Sequence, residues 1–141
     1  MHDEIINYVL DCFDDLIIKH NLAVNIEIPL KTLFSIDLEN KNDFMHICYS
    51  THPSDYPFSF DVRYCKQKFF DRTCALYRTD TREITSLWRF DKNLNTTITG
   101  SLKKDMPIIS ECCKRTSEMF DCFQNMSDAE YYNTSEKFRH A

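Results

Sequence analysis

The chain has 141 residues, 43% apolar and 13% aromatic, a composition that excludes an intrinsically disordered polymer. Its 22 acidic residues outweigh 17 basic ones, for a net charge of -5, which opposes binding to nucleic-acid phosphates. A single glycine, Gly100, excludes the glycine-rich loops that cradle nucleotide phosphates, and with them Rossmann and P-loop functions.

Residues 3–20 predict an amphipathic helix, because Ile6, Val9, Leu10, Phe13, Leu16, Ile17 and His20 recur at spacings of three and four. Asp3 is its expected N-cap and Asn21 its stop. The apolar period then changes to two. Val24, Ile26 and Ile28 alternate with polar residues up to Pro29, and Phe34, Ile36 and Leu38 do so again. Asn40 to Asp43 has the composition of a turn. Strands are expected over 44–51 and over 58–64, separated by a loop carrying Pro53 and Pro57. This stretch reads as a three-stranded antiparallel meander.

Residues 66–73 carry Phe69 and Phe70 and read as a short helix. Two further strands are expected over 74–79 and 83–90, joined at Asp80 to Arg82. A final helix spans about 101–124, with Pro107 near its start. The segment 127–141 is polar and is expected to fray. The expected organisation is therefore one α+β domain over 1–126, with a flexible tail over 127–141. Its five-stranded antiparallel sheet is flanked by N- and C-terminal helices and a short middle helix.

Seven cysteines, an odd number without a recognisable secretory leader, predict reduced thiols in a cytosolic protein. No apolar run is long enough to span a bilayer, so membrane insertion is not expected. Residues that could carry chemistry are sparse. Cys65 and Arg72 are separated by six residues where a phosphatase loop needs five, and the glycines of such a loop are absent. His46 and Cys48 share one strand face and would need a second pair to complete a metal site. Cys112 and Cys113 point about 100° apart on a helix, so one is expected in the core and the other partly exposed. Asp14 and Asp15 read as a solvated helix face rather than an acid–base pair. No catalytic residue, metal or cofactor is assigned. Large apolar side chains are instead concentrated on the strands: Phe34, Phe44, Phe58, Phe60, Tyr64, Trp88 and Phe90. Two helices cover one face of such a sheet, which leaves aromatics for a protein partner.

The order of elements resembles that of class I type III secretion chaperones. The helix over 5–20, the strands over 32–38, 44–51 and 58–65, and the segment from Cys74 to Phe90 followed by Leu102 to Phe123 carry the resemblance. It implies a cytoplasmic bacterial homodimer that binds the chaperone-binding segment of secreted virulence effectors and keeps them secretion-competent. Phe69, Phe70, Leu76 and Trp88 would form the dimer interface, and Phe34, Ile36, Phe44 and His46 would bind the client. Backbone pairing to a sheet edge would supply affinity. The alternative expectation is an immunity protein that neutralises a toxin enzyme, its acidic face steered to a basic partner. A third is a small hydrolase or transferase built on Cys65 or on His46 and Cys48.

Overall fold

The computed structural model describes residues 3–70 and 84–140. It is an α+β fold: a five-stranded antiparallel sheet with N- and C-terminal helices and a short helix. The predicted first helix is two segments, α1 (Asp3–Cys12) and α2 (Asp14–His20), with Asp3 inside the first turn rather than ahead of it. Phe13 leaves helical geometry, yet its N–H still reaches the Val9 carbonyl at 3.1 Å and its carbonyl accepts from Ile17 N–H at 2.9 Å. The apolar stripe therefore runs on unbroken, burying Ile5, Ile6, Val9, Phe13 and Leu16. Asn21 ends α2 as expected, in the left-handed conformation at φ 52°, which its short polar side chain tolerates.

The sheet is a meander in the order β1 (Ala23–Leu30), β2 (Leu33–Glu39), β3 (Asp43–Ser50), β4 (Ser59–Lys66) and β5 (Thr85–Ser86). Asn40 closes the β2–β3 turn: its side-chain oxygen accepts from the N–H groups of Asn42 and Asp43 at 2.9 and 2.8 Å. In β3–β4, His52 Nδ1 accepts from Ser54 N–H at 3.1 Å at the head of a 3₁₀ turn, Pro53–Asp55.

Register assigns the faces. Leu38, Met45 and Tyr64 stand opposite one another, as do Ile36, Ile47 and Val62, and Phe34, Tyr49 and Phe60. These nine side chains form the helix-facing layer, and all nine are buried. Above them lies α4 (Leu102–Gln124), whose Phe120 and Phe123 rings pack on Tyr64. The start of α4 is tied to the same layer through Asp105, which is wholly buried. Its carboxylate accepts from Thr99 N–H and Gly100 N–H, each at 2.8 Å, from Thr99 Oγ1 at 2.9 Å and from Tyr49 Oη at 3.4 Å. Gly100 has φ 92°, which an L side chain rarely adopts, so the chain's one glycine stands where this turn needs it.

Three expectations are corrected. The fifth strand is β1, the alternating stretch that precedes the anticipated meander, so four long strands come before the 3₁₀ turn Gln67–Phe69. The expected strand over 83–90 is only β5, followed by one helical turn, α3 (Leu87–Phe90). The expected strand over 74–79 lies outside the described residues. The polar segment after Ser127 is a helix, α5 (Asp128–His140), and not a frayed tail. A reciprocal capping box starts it: Glu130 N–H donates to Ser127 Oγ at 3.1 Å, and Ser127 N–H to Glu130 Oε1 at 3.4 Å. Tyr131 anchors it, fully buried against Tyr64 and Phe123. The Tyr131 hydroxyl donates to the Tyr64 carbonyl at 3.0 Å and lies 3.2 Å from Thr85 Oγ1. Phe138 adds contacts with Phe90 and Phe123, so a few aromatics hold a helix whose overall composition is polar.

Candidate functional site

Of the four residues expected to bind a client, Phe34, Ile36 and Phe44 are buried, and His46 is half-buried. Phe34 and Ile36 are wholly buried in the helix-facing layer. Phe44 is buried on the opposite face beneath Phe70, with ring centroids 3.7 Å apart. His46, also on that opposite face, places Nδ1 2.6 Å from Asp37 Oδ1. Strand alternation identifies two faces without saying which is covered; here α4 lies over one, and on the other Phe70 covers Phe44 while His46 stays half-buried. Of the expected dimer residues, Phe69 and Phe70 pack inside the monomer, Phe69 against Tyr131 and Tyr132. Leu76 lies outside the described residues. Trp88 is 44% exposed on α3, with the Arg89 guanidinium over its ring at 4.8 Å.

The sheet face away from α4 carries a charged cleft of about 310 Å³, lined by His46, Cys48, Ser50, Asp55, Ser59, Asp61 and Arg63. Its groups satisfy one another. Arg63 Nε donates to Asp61 Oδ2 at 3.0 Å and Ser50 Oγ to Asp55 Oδ2 at 2.7 Å. Burial raises the Asp61 carboxyl, a shift that the Arg63 charge opposes. Burial, helped by the negative charge of Asp61, pushes the Cys48 thiol up to about 11. Burial and the neighbouring carboxylate thus disfavour the Cys48 thiolate, the form that acts as a nucleophile. Cys65 is buried, and Cys112 and Cys113 are both buried rather than split between core and surface. Among the described residues no group of three or more His, Cys, Asp or Glu side chains is placed to hold a metal ion. Nor is any helix among them long and apolar enough to cross a membrane.

The outer strand β1 has a different character. Every one of its eight residues is exposed. Val24 and Ile26 pair with Leu38 and Ile36, so they belong to the helix-facing layer, yet they are 42% and 40% exposed. Ile28 and Leu30 are about half exposed as well. Among the described residues β1 pairs only with β2, so its outer backbone groups have no strand partner. An eight-residue edge strand carrying four accessible aliphatics is a ready template for another strand. The ladder loses register between Glu27 and Leu30, across Pro29, which has no N–H to offer. The regular part of the edge is Ala23 to Glu27. The alternation of Val24, Ile26 and Ile28 was legible as a strand signal, but nothing in it marks the strand as outermost.

No family model, no curated protein and no solved structure matches the chain.

Proposed function

We propose that this chain is a binding domain that captures an extended segment of another protein by adding it as a strand to the outer edge of β1. The observation that carries the reading is β1 itself: an eight-residue edge strand exposed throughout, with Val24, Ile26, Ile28 and Leu30 accessible. Backbone pairing along 23–27 supplies affinity, and the aliphatic row selects a segment with apolar residues at every second position. The mutual pairing of the charged groups on the opposite face, and the disfavoured Cys48 thiolate, favour binding over nucleophilic chemistry.

The secretion-chaperone resemblance is a specific form of this reading, in which the segment belongs to a secreted effector and the domain works as a cytoplasmic homodimer. The four long strands ahead of the 3₁₀ turn, and the shortness of β5, depart from the element order that carries that resemblance. Sedimentation equilibrium separates the forms. A dimer that persists on dilution supports the chaperone form, and a monomer leaves the edge-binding domain without it.

A displayed library of random peptides, selected against the full chain and counter-selected against Ile26→Lys, tests the general reading. Enriched peptides are expected to carry aliphatics with period two and to lose affinity when alternate backbone amides are N-methylated. Peptides that bind the wild type and Ile26→Lys equally, or that show no such period, overturn it.

A further inference from the structure

Among the described residues β1 has no strand on its outer side, and its ladder with β2 is regular from Ala23 to Glu27. Asn25 is the centre of that stretch. Val24 and Ile26 flank it, and their β2 partners Leu38 and Ile36 place both in the helix-facing layer. Ala23, Asn25 and Glu27 stand on the other face. Every residue of the stretch is exposed. Outward from Asn25 the helix-facing layer is therefore apolar in both directions, and the one charge of the stretch is Glu27.

Resting on the reading of β1 as the recognition edge, we propose that in the free protein this edge is closed by β1 of a second copy, paired antiparallel about a two-fold axis at Asn25. Directly opposed residues of an antiparallel pair project to the same face. The helix-facing layers of the two copies therefore join only when a residue faces itself across the axis, because any register one residue off turns one copy over. Three such registers involve the plain end of the strand. An axis at Val24 sets Ile26 and Glu27 opposite Leu22 and Asn21, which lie outside β1. An axis at Ile26 sets Val24 and Ala23 opposite Ile28 and Pro29, where the ladder has lost its register and Pro29 has no N–H. An axis at Asn25 pairs the whole regular stretch with itself. Val24 of each copy then meets Ile26 of the other, an apolar pair on both sides of the axis. The two Asn25 amides, each donor and acceptor, can bond to one another. Glu27 faces Ala23, so the charge never meets its own copy.

The contact is small. A stable interface brings together about 20–30 residues a side, whereas this one is built on the short run from Ala23 to Glu27 of each copy. The pair is therefore weak and comes apart on dilution, unlike the persistent dimer of the chaperone form. It still satisfies the outer backbone groups and shields the aliphatic row while no ligand is present, which is how an edge this plain avoids open-ended aggregation. A two-fold pair uses up both edges and stops at two copies. The self-paired fraction is closed to ligand, so the apparent affinity for an extended peptide falls as the protein concentration rises.

The test uses the full chain. Opposed residues of an antiparallel pair have Cα atoms about 4.5–5.5 Å apart, within reach of a disulfide. Asn25→Cys, equilibrated in a thiol–disulfide buffer and mapped without reduction, is expected to link position 25 of two copies. Glu27→Cys is expected not to link to itself, because the axis leaves its two copies far apart along the paired strands. Sedimentation velocity of the wild type over a concentration series should show a monomer–dimer equilibrium. Ile26→Lys should weaken it at least tenfold, and a synthetic peptide of residues 21–28 should dissociate it. A wild type that stays monomeric throughout, a dimer that Ile26→Lys and the peptide leave intact, or self-linking by Glu27→Cys in place of Asn25→Cys overturns the self-pair. Binding of library-selected peptides is read on the same samples. A monomer that binds them through β1 loses the self-pair and keeps the edge-binding reading, whereas a dimer linked at position 25 that binds none of them keeps the self-pair and loses that reading.

Discussion

Among the described residues, the two edges of the sheet are finished in opposite ways. At the β5 edge the strand is two residues long and turns at once into α3. There α5 closes over it, and the Tyr131 hydroxyl takes up a β4 carbonyl and lies beside Thr85. At the β1 edge the strand is eight residues long and every residue of it is exposed. Sheets usually blunt an exposed edge with charge, proline, a bulge or a covering helix. The β5 edge uses a covering helix. The β1 edge uses Glu27, Pro29 and a register shift, all at its far end, and leaves Ala23 to Ile26 plain. An edge left plain, on a chain that caps the other one, is the physical basis for assigning binding to β1.

The sharpest way to break the comparison is to truncate equivalent side chains on covered and uncovered strands. Phe34→Ala on β2 removes a wholly buried ring stacked against Tyr49, with centroids 5.1 Å apart. It should cost about 3–5 kcal/mol of unfolding free energy in urea denaturation. Ile26→Ala, one strand outward in the same layer, should cost less than about 1 kcal/mol, because much of Ile26 already faces water. Equal costs would mean that β1 is covered in solution.

An effect of intermediate size comes from the other face of the covered strands. The Cys48 thiol titrates at about 11 in the folded chain, whereas an unfolded thiol titrates near 8.5. The folded value is raised, so this contribution is complete below the unfolded value and is lost as pH rises toward 11. Between about pH 9 and 11 the wild type should lose on the order of 1 kcal/mol more per pH unit than Cys48→Ala. Matching slopes in urea titrations at several pH values would place Cys48 in water. At the β5 edge, Tyr131→Phe keeps the ring and removes only the hydroxyl tie. It should cost about 1 kcal/mol and speed amide exchange in α5 ahead of α4.

How much of this was legible follows from what each signal encodes. The stripe of α1 and α2, the alternation of β2, β3 and β4, and the Asn40 turn are local patterns, and the chain folds as they read. The α5 helix is not legible because its composition is polar and its docking depends on Tyr131 and Phe138 reaching partners far away in sequence. Ser86 to Phe90 carries β-favouring aromatics, yet Leu87 to Phe90 forms a helical turn packed on α4, so tertiary contacts outweighed propensity there. The binding assignment moved for a related reason. Phe34, Ile36 and Phe44 lie on β2 and β3, where they are buried, the last of them beneath Phe70. Val24 and Ile26 have the same alternation, and Ile26 is the same side chain as its partner Ile36, but they sit one strand further out and stay about 40% exposed.

The smallest expected change in stability is also the most direct probe of the edge. In Ile26→Lys the new ammonium extends into water and its stem replaces the exposed aliphatic surface, so the unfolding midpoint should shift by no more than about 0.5 kcal/mol. The same charge sits in the middle of the plain stretch, where an incoming strand would have to bury it or bend around it. Binding of an alternately apolar peptide should therefore fall by at least about tenfold, since desolvating one lysine opposite an apolar side chain exceeds 1.4 kcal/mol. Concentration-dependent self-association of the free domain, read by light scattering, should fall in parallel. Unchanged peptide binding together with an unchanged unfolding midpoint would move the recognition surface off β1, and the exposed aromatics Tyr56 and Trp88 would then be the ones to substitute next.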